Sequence, residues 1–85
     1  MAVLKNVQFS NLIKSEGRLR EFNFRKSNGI AGSVYHVDVG DDRGNRFYMT
    51  LKPENNVWVV QEKGLPAWIE EAIPQFNALI VEHED

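Results

Sequence analysis

The chain has 85 residues, of which 42% are hydrophobic and 26% charged; this fits one small globular domain, residues 1–85, and excludes a collagen-like or generally disordered chain. It contains no cysteine and carries a net charge of −2, so disulfide staples and cysteine-liganded zinc or iron–sulfur centres are ruled out. No apolar run approaches the roughly 20 residues that span a bilayer, no secretory leader is visible, and the expectation is a soluble cytoplasmic protein.

Residues 1–14 come first. Val3, Val7 and Phe9 alternate with Leu4, Asn6 and Gln8, which favours a strand over a short helix, although Leu12 and Ile13 do not continue the alternation. Ser15-Glu16-Gly17 then signals a turn. From Arg18 to Lys26, Phe22 and Phe24 share one face, with Glu21, Asn23 and Arg25 on the other. Ser27-Asn28-Gly29 follows, and Asn-Gly is a strong hairpin signal because both residues tolerate positive φ.

From Ser33 to Val39, Tyr35, Val37 and Val39 lie opposite His36 and Asp38. A two-residue Asn28-Gly29 turn pairs Phe22 with Tyr35, Phe24 with Ser33 and Glu21 with His36. Gly40-Asp41-Asp42-Arg43-Gly44 is the next turn. From Arg46 to Lys52, Phe47, Met49 and Leu51 face inward, and Arg46, Tyr48, Thr50 and Lys52 face outward. Odd-numbered residues across this hairpin should oppose odd ones, as Val37 with Phe47. After Pro53-Glu54-Asn55-Asn56, the strand Val57 to Glu62 is apolar on both faces. A pairing of Leu51 with Trp58 makes Trp58 core, and a pairing of Leu51 with Val57 sends it outside.

Gly64 and Pro66 end the strand region. Leu65, Ile69, Ala72, Phe76 and Leu79 recur at steps of three and four, widened by Trp68, Ile73 and Ile80. That period predicts an amphipathic helix over 65–82 with Pro66 in its first turn. Pro74 lacks an N–H and crowds the carbonyl four residues back, so a kink or break is expected there.

The expected fold is therefore α+β: an antiparallel meander of four or five strands, with one C-terminal helix, kinked near Pro74, packed on one face. The expected core is Phe22, Phe24, Tyr35, Val37, Phe47, Met49, Leu51, Ile69, Ala72, Phe76 and Leu79, with Trp68 capping one end.

Catalytic signatures are sparse. Gly29-Ile30-Ala31-Gly32-Ser33 lacks the lysine and following helix of a phosphate loop. The acids of Gly40–Gly44 lack the alternate spacing of a calcium loop. His36, Asp38 and Glu21 could meet on one outer face, but an outer sheet face that is flat offers no pocket, and a cross-strand Glu–His pair accounts for these residues without a metal. No metal site, no cofactor and no enzymatic activity are expected. His83 sits among acidic residues near the end of the sequence.

Strands followed by one helix over residues 18–82 resemble, in element order, the units of whirly proteins, of purine-rich-element-binding domains and of a transcriptional-coactivator family. That resemblance implies a sheet that binds single-stranded nucleic acid, often in a dimer. It carries over no site residue by residue.

The charge is uneven. Residues 1–63 hold ten Lys/Arg against seven Asp/Glu, a balance of +3, whereas residues 64–85 hold five acids and no Lys/Arg, a balance of −5, and +3 − 5 gives the total of −2. Three functional readings follow. The leading one is a small non-enzymatic interaction module that self-associates as a homodimer or binds a protein partner. Its motives are the two-sided strand at 57–62, the apolar helix positions Ile80 and Val81, and an open sheet edge. The second is single-stranded nucleic-acid binding through Arg25, Arg46, Tyr48 and Lys52, in which an aromatic ring stacks on bases and cations meet phosphates; a pI near 5.6 contrasts with the strongly basic modules usual for that task. The third is a small-ligand binder or enzyme around His36, Asp38 and Glu21.

Overall fold

A computed structural model describes residues 7–30 and 32–84. The alternation seen in the sequence becomes five antiparallel strands: β1 (Gln8–Ser15), β2 (Arg18–Gly29), β3 (Gly32–Gly40), β4 (Arg46–Glu54) and β5 (Val57–Val60). They form one sheet in the order β1-β2-β3-β4-β5, a meander with no crossover. The C-terminal segment crosses one face as α1 (Ala67–Ala72), a 3-10 turn over Ile73–Gln75, and α2 (Phe76–Glu84). The chain is thus α+β, with a helical layer broken at Pro74, where the missing N–H and the ring loosen the α-helical ladder into a 3-10 turn.

The expectation of an N-terminal strand holds for Gln8–Ser15, and its part at Val3, Leu4 and Asn6 lies outside the described residues. Leu12 and Ile13 do keep the alternation. Ile13 is buried beneath the sheet while Leu12 is 59% exposed on the other side.

The hairpin between β2 and β3 differs from its expected register. Its pairs run Phe24 with Val37, Arg25 with His36, Lys26 with Tyr35 and Gly29 with Gly32. Phe22 is not opposite Tyr35, Phe24 is not opposite Ser33, and Glu21 is not opposite His36. Each β2 residue meets a partner four positions further along β3, and an even slip preserves the face of every side chain, so hydrophobic alternation cannot choose between the two registers. The turn signal misleads because glycines at both 29 and 32 allow the chain to reverse two residues later. Asn28 instead lies inside β2, next to its last residue, and its Oδ1 accepts a 2.5 Å hydrogen bond from the Ser33 hydroxyl across the pair.

Between β3 and β4, odd residues do oppose odd ones, with Val37 against Met49 and Val39 against Phe47. That ladder stops at Tyr35–Leu51, because the next β4 residue facing β3 is Pro53, which has no N–H to give. Between β4 and β5, Leu51 pairs with Val60 and Pro53 with Trp58. Trp58 therefore faces the core side, and its ring meets Tyr35 edge-on at 4.7 Å.

The core lies between sheet and helix. Its buried members are Val7, Ile13, Phe22, Phe24, Tyr35, Val37, Val39, Met49, Leu51, Ile69, Ala72, Phe76 and Ile80. Phe47 and Leu79, expected inside, are only partly buried. Ile80 takes the deeper helical position, four residues beyond the buried Phe76 on the same face of α2. Trp68 packs at the end of the core against Phe47, at 5.7 Å and nearly perpendicular, with the Arg20 guanidinium 4.1 Å from its ring centre.

Polar contacts fasten the helical layer. The buried Ser15 hydroxyl donates to the Trp68 carbonyl, and Glu71 Oε2 accepts the Glu16 N–H at 2.7 Å. At the far end Glu84 Oε2 accepts from Lys26 Nζ at 2.6 Å and from the Tyr35 hydroxyl at 2.9 Å. His83 stacks on Phe9 at 3.8 Å, and Phe9 on Phe24 at 4.6 Å. Among the described residues no helix is long and apolar enough to cross a membrane.

Candidate functional site

One face of the sheet is covered by the helix; the other is open, and it carries the side chains the core does not use. Register places them in cross-strand rows. Gln8, Arg25, His36 and Thr50 form one row, and Ser10, Asn23, Asp38 and Tyr48 the next. These eight residues line a hollow of about 360 Å³ whose floor includes Phe9, Phe24, Val37 and Met49. The outer face is therefore concave, which corrects the expectation of a flat surface. Sheets of this length twist and coil, and the open face of a coiled sheet becomes a trough.

The second row is a connected polar chain. The Ser10 hydroxyl donates to Asn23 Oδ1 at 2.5 Å, and Asn23 Nδ2 donates to Asp38 Oδ2 at 3.3 Å. The same Asp38 oxygen accepts from Arg46 Nη2. Asp38 is thus held from two sides, and its charge is offset by Arg46.

The first row is different. Arg25, His36 and Thr50 make no side-chain hydrogen bond or ion pair within the described residues. Arg25 is exposed and borders the hollow. Tyr48 is 70% exposed, an aromatic ring standing in mid-sheet on the polar side. His36 and Tyr48 are diagonal neighbours across β3 and β4, within reach of one another's rings.

Of the four residues singled out for nucleic acid, all point to this face. The hollow brings Arg25 and Tyr48 together. Arg46 adjoins it through Asp38. Lys52 does not join them: it lines a second hollow of about 340 Å³ with Gly32, Ser33, Val34 and Pro53. Gln8, Ser10, Asn23 and Thr50 belong to the trough and were not singled out from the sequence. Strand alternation marks them as outward-facing, but only the true register shows that they are neighbours.

The grouping of His36, Asp38 and Glu21 does not form. Leu12, not His36, stands opposite Glu21, and Arg25 stands opposite His36. Among the described residues no three His, Asp or Glu side chains converge as a metal would require. The Gly40–Gly44 segment is a turn built on Asp41. Its carboxylate accepts the Arg43 and Asn45 N–H groups and the Asn45 side-chain amide at 2.8–2.9 Å, and these bonds, the side-chain one foremost, hold its pKa below the usual carboxylate value.

Charge separates across the thickness of the molecule. The outer face of β1–β4 carries Lys14, Arg25, Arg46 and Lys52 against Glu21, Asp38 and Glu54, a balance of 4 − 3 = +1. The described segment that forms the opposite layer, 64–84, holds four acids, Glu70, Glu71, Glu82 and Glu84, and no lysine or arginine. The low pI thus describes the helical side more than the sheet.

Comparison with protein-family models, with curated proteins and with solved structures found no match.

Proposed function

We propose that this protein is a small binding module without catalytic chemistry, and that the concave outer face of its sheet takes single-stranded nucleic acid. The observation that carries the reading is the hollow in which an exposed Tyr48, a neighbouring His36 and an Arg25 with no partner among the described residues stand together. Bases stack on such rings for about 1–3 kcal/mol each, whatever their sequence. Arg25 and Lys52 meet phosphates, and Arg46 joins them when Asp38 yields it.

The test is a titration of a fluorescently labelled oligothymidylate, followed by anisotropy at several salt concentrations. Neutralising two phosphates, one at Arg25 and one at Lys52, gives a slope of about −1.4 in log K against log salt. Tyr48→Ala weakens binding about tenfold or more, as expected for loss of one stacked base. No binding at low salt, or binding insensitive to salt, overturns the reading.

A further inference from the structure

The two edges of the sheet are not equally guarded. On the β5 edge, the outward N–H and C=O of Trp58 are both taken by the Asn77 carboxamide, at 2.6 and 2.8 Å. Beyond it, the Thr50 N–H that a longer β5 would engage is taken at 2.7 Å by the Glu62 side chain. This edge is short and occupied by side chains, as protected edges commonly are.

The β1 edge has no such cover among the described residues. The Lys26 N–H donates to the Val7 carbonyl at 2.9 Å, and the register continues in steps of two, so Phe9, Asn11, Ile13 and Ser15 bond to β2. The backbone groups of Gln8, Ser10, Leu12 and Lys14 consequently point away from the sheet. On the outer face of this edge Leu12 is 59% and Leu19 66% exposed. Leu12 opposes Glu21 and Leu19 opposes Lys14, so the two leucines are diagonal neighbours.

We infer that β1 pairs antiparallel with β1 of a second copy, about a two-fold axis through Leu12. The occupant follows from self-complementarity. A two-fold at this position requires residues of the same strand to face one another, and only even residues have free edge groups. Centring on Leu12 sets Leu12 against itself and Ser10 against Lys14, with about six backbone hydrogen bonds. The leucines at 12 and 19 of both copies then form one diagonal apolar line across the join. A centre on Asn11 or Ile13 sets Leu12 against Ser10 or Lys14 instead of against itself, a centre on Lys14 opposes two ammonium groups, and a centre on Ser10 leaves the leucines apart. The pairing joins the two sheets while both troughs stay open, so it does not depend on what the trough binds.

The absence of cysteine makes the register directly readable. Leu12→Cys should form a disulfide-linked dimer under mild oxidation. Ser10→Cys and Lys14→Cys should each remain monomeric on a non-reducing gel, while an equimolar mixture of the two cross-links. Sedimentation equilibrium of the unmodified chain should show a concentration-dependent dimer, and Leu12→Lys should shift it at least tenfold toward monomer. A chain that sediments as a monomer up to millimolar concentration overturns the inference. Equal cross-linking of all three single-cysteine variants overturns it too.

Discussion

The Asn77 carboxamide stands in for a sixth strand beside Trp58: the Trp58 N–H donates to Asn77 Oδ1 at 2.6 Å, and Asn77 Nδ2 donates to the Trp58 carbonyl at 2.8 Å. A side chain on α2 thereby closes the edge of β5 and joins the helical layer to the last strand. Asn77→Ala removes both bonds and should cost roughly 1–3 kcal/mol, read as a fall in the urea midpoint at unchanged slope. Asn77→Asp keeps the acceptor but sets a carboxylate oxygen against the Trp58 carbonyl, and should destabilise at least as much. An unchanged midpoint in both variants contradicts the assigned role.

The β1–β2 hairpin turns through Glu16 and Gly17, with φ of 49° and 77°, between the paired Ser15 and Arg18. Both central residues are left-handed, the type I′ geometry that suits asparagine followed by glycine. The Glu16 side chain is exposed and its backbone N–H makes the contact with Glu71, so the side chain can change without loss of that bond. Glu16→Asn should raise stability by roughly 0.5–1 kcal/mol, a gain of about 3–6 °C in Tm by calorimetry. A lower Tm shows that the glutamate side chain has a role beyond the turn.

Tyr35 and Asp41 set opposite limbs of the stability–pH curve. Burial, and then the hydrogen bond and charge of Glu84, raise the Tyr35 pKa far above the ordinary phenol value. The folded state therefore disfavours the phenolate, and this contribution is whole below the unfolded value of about 10 and is lost as pH rises past it. In the Tyr48→Phe variant, which leaves Tyr35 as the remaining tyrosine of two, tyrosinate absorbance should appear only together with loss of near-ultraviolet circular dichroism. Asp41 runs the other way. Its lowered pKa gives stability that is present above the unfolded carboxylate value of about 4 and is lost as pH falls through the folded one. Asp41→Asn should flatten the acid limb below about pH 4, measured by urea titration at a series of pH values.

The parts of the fold that depend on side-chain parity were legible in the sequence. Phe22, Phe24, Tyr35, Val37, Met49 and Leu51 face the helix as their spacing requires, and Tyr48 faces out. Parity is blind to an even slip, however, and the Gly29–Gly32 pair moves the turn of the central hairpin by two residues without turning any side chain over. The trough depends on that slip: with Glu21 opposite His36 it would present a carboxylate where Arg25 now stands. Curvature was equally hidden, because a twisted and a flat sheet share one hydrophobic pattern. Asn77 shows a third limit. Its role as an edge cap depends on a contact with Trp58 nineteen residues away, and a local helical pattern marks it only as a polar position.

The bond between Arg46 and Asp38 gives the proposed surface a measurable sign. Asp38 is partly exposed, at 30%, and Arg46 more so, at 46%, so the pair itself contributes little to stability. Its electrostatic effect on a polyanion is larger, because Asp38 both repels phosphate and occupies Arg46. Asp38→Asn removes the repulsion, keeps an oxygen for Asn23 Nδ2, and frees a third cation. Oligothymidylate affinity at low salt should rise about three- to tenfold, and the slope against log salt should steepen by about 0.7, the increment for one more phosphate on a single strand. Arg46→Ala should act in the opposite direction, leaving Asp38 uncompensated beside Tyr48. If Asp38→Asn instead weakens binding with the fold intact by circular dichroism, the carboxylate is a contact for a cationic or hydrogen-bond-donating ligand, and the trough is not a path for phosphates.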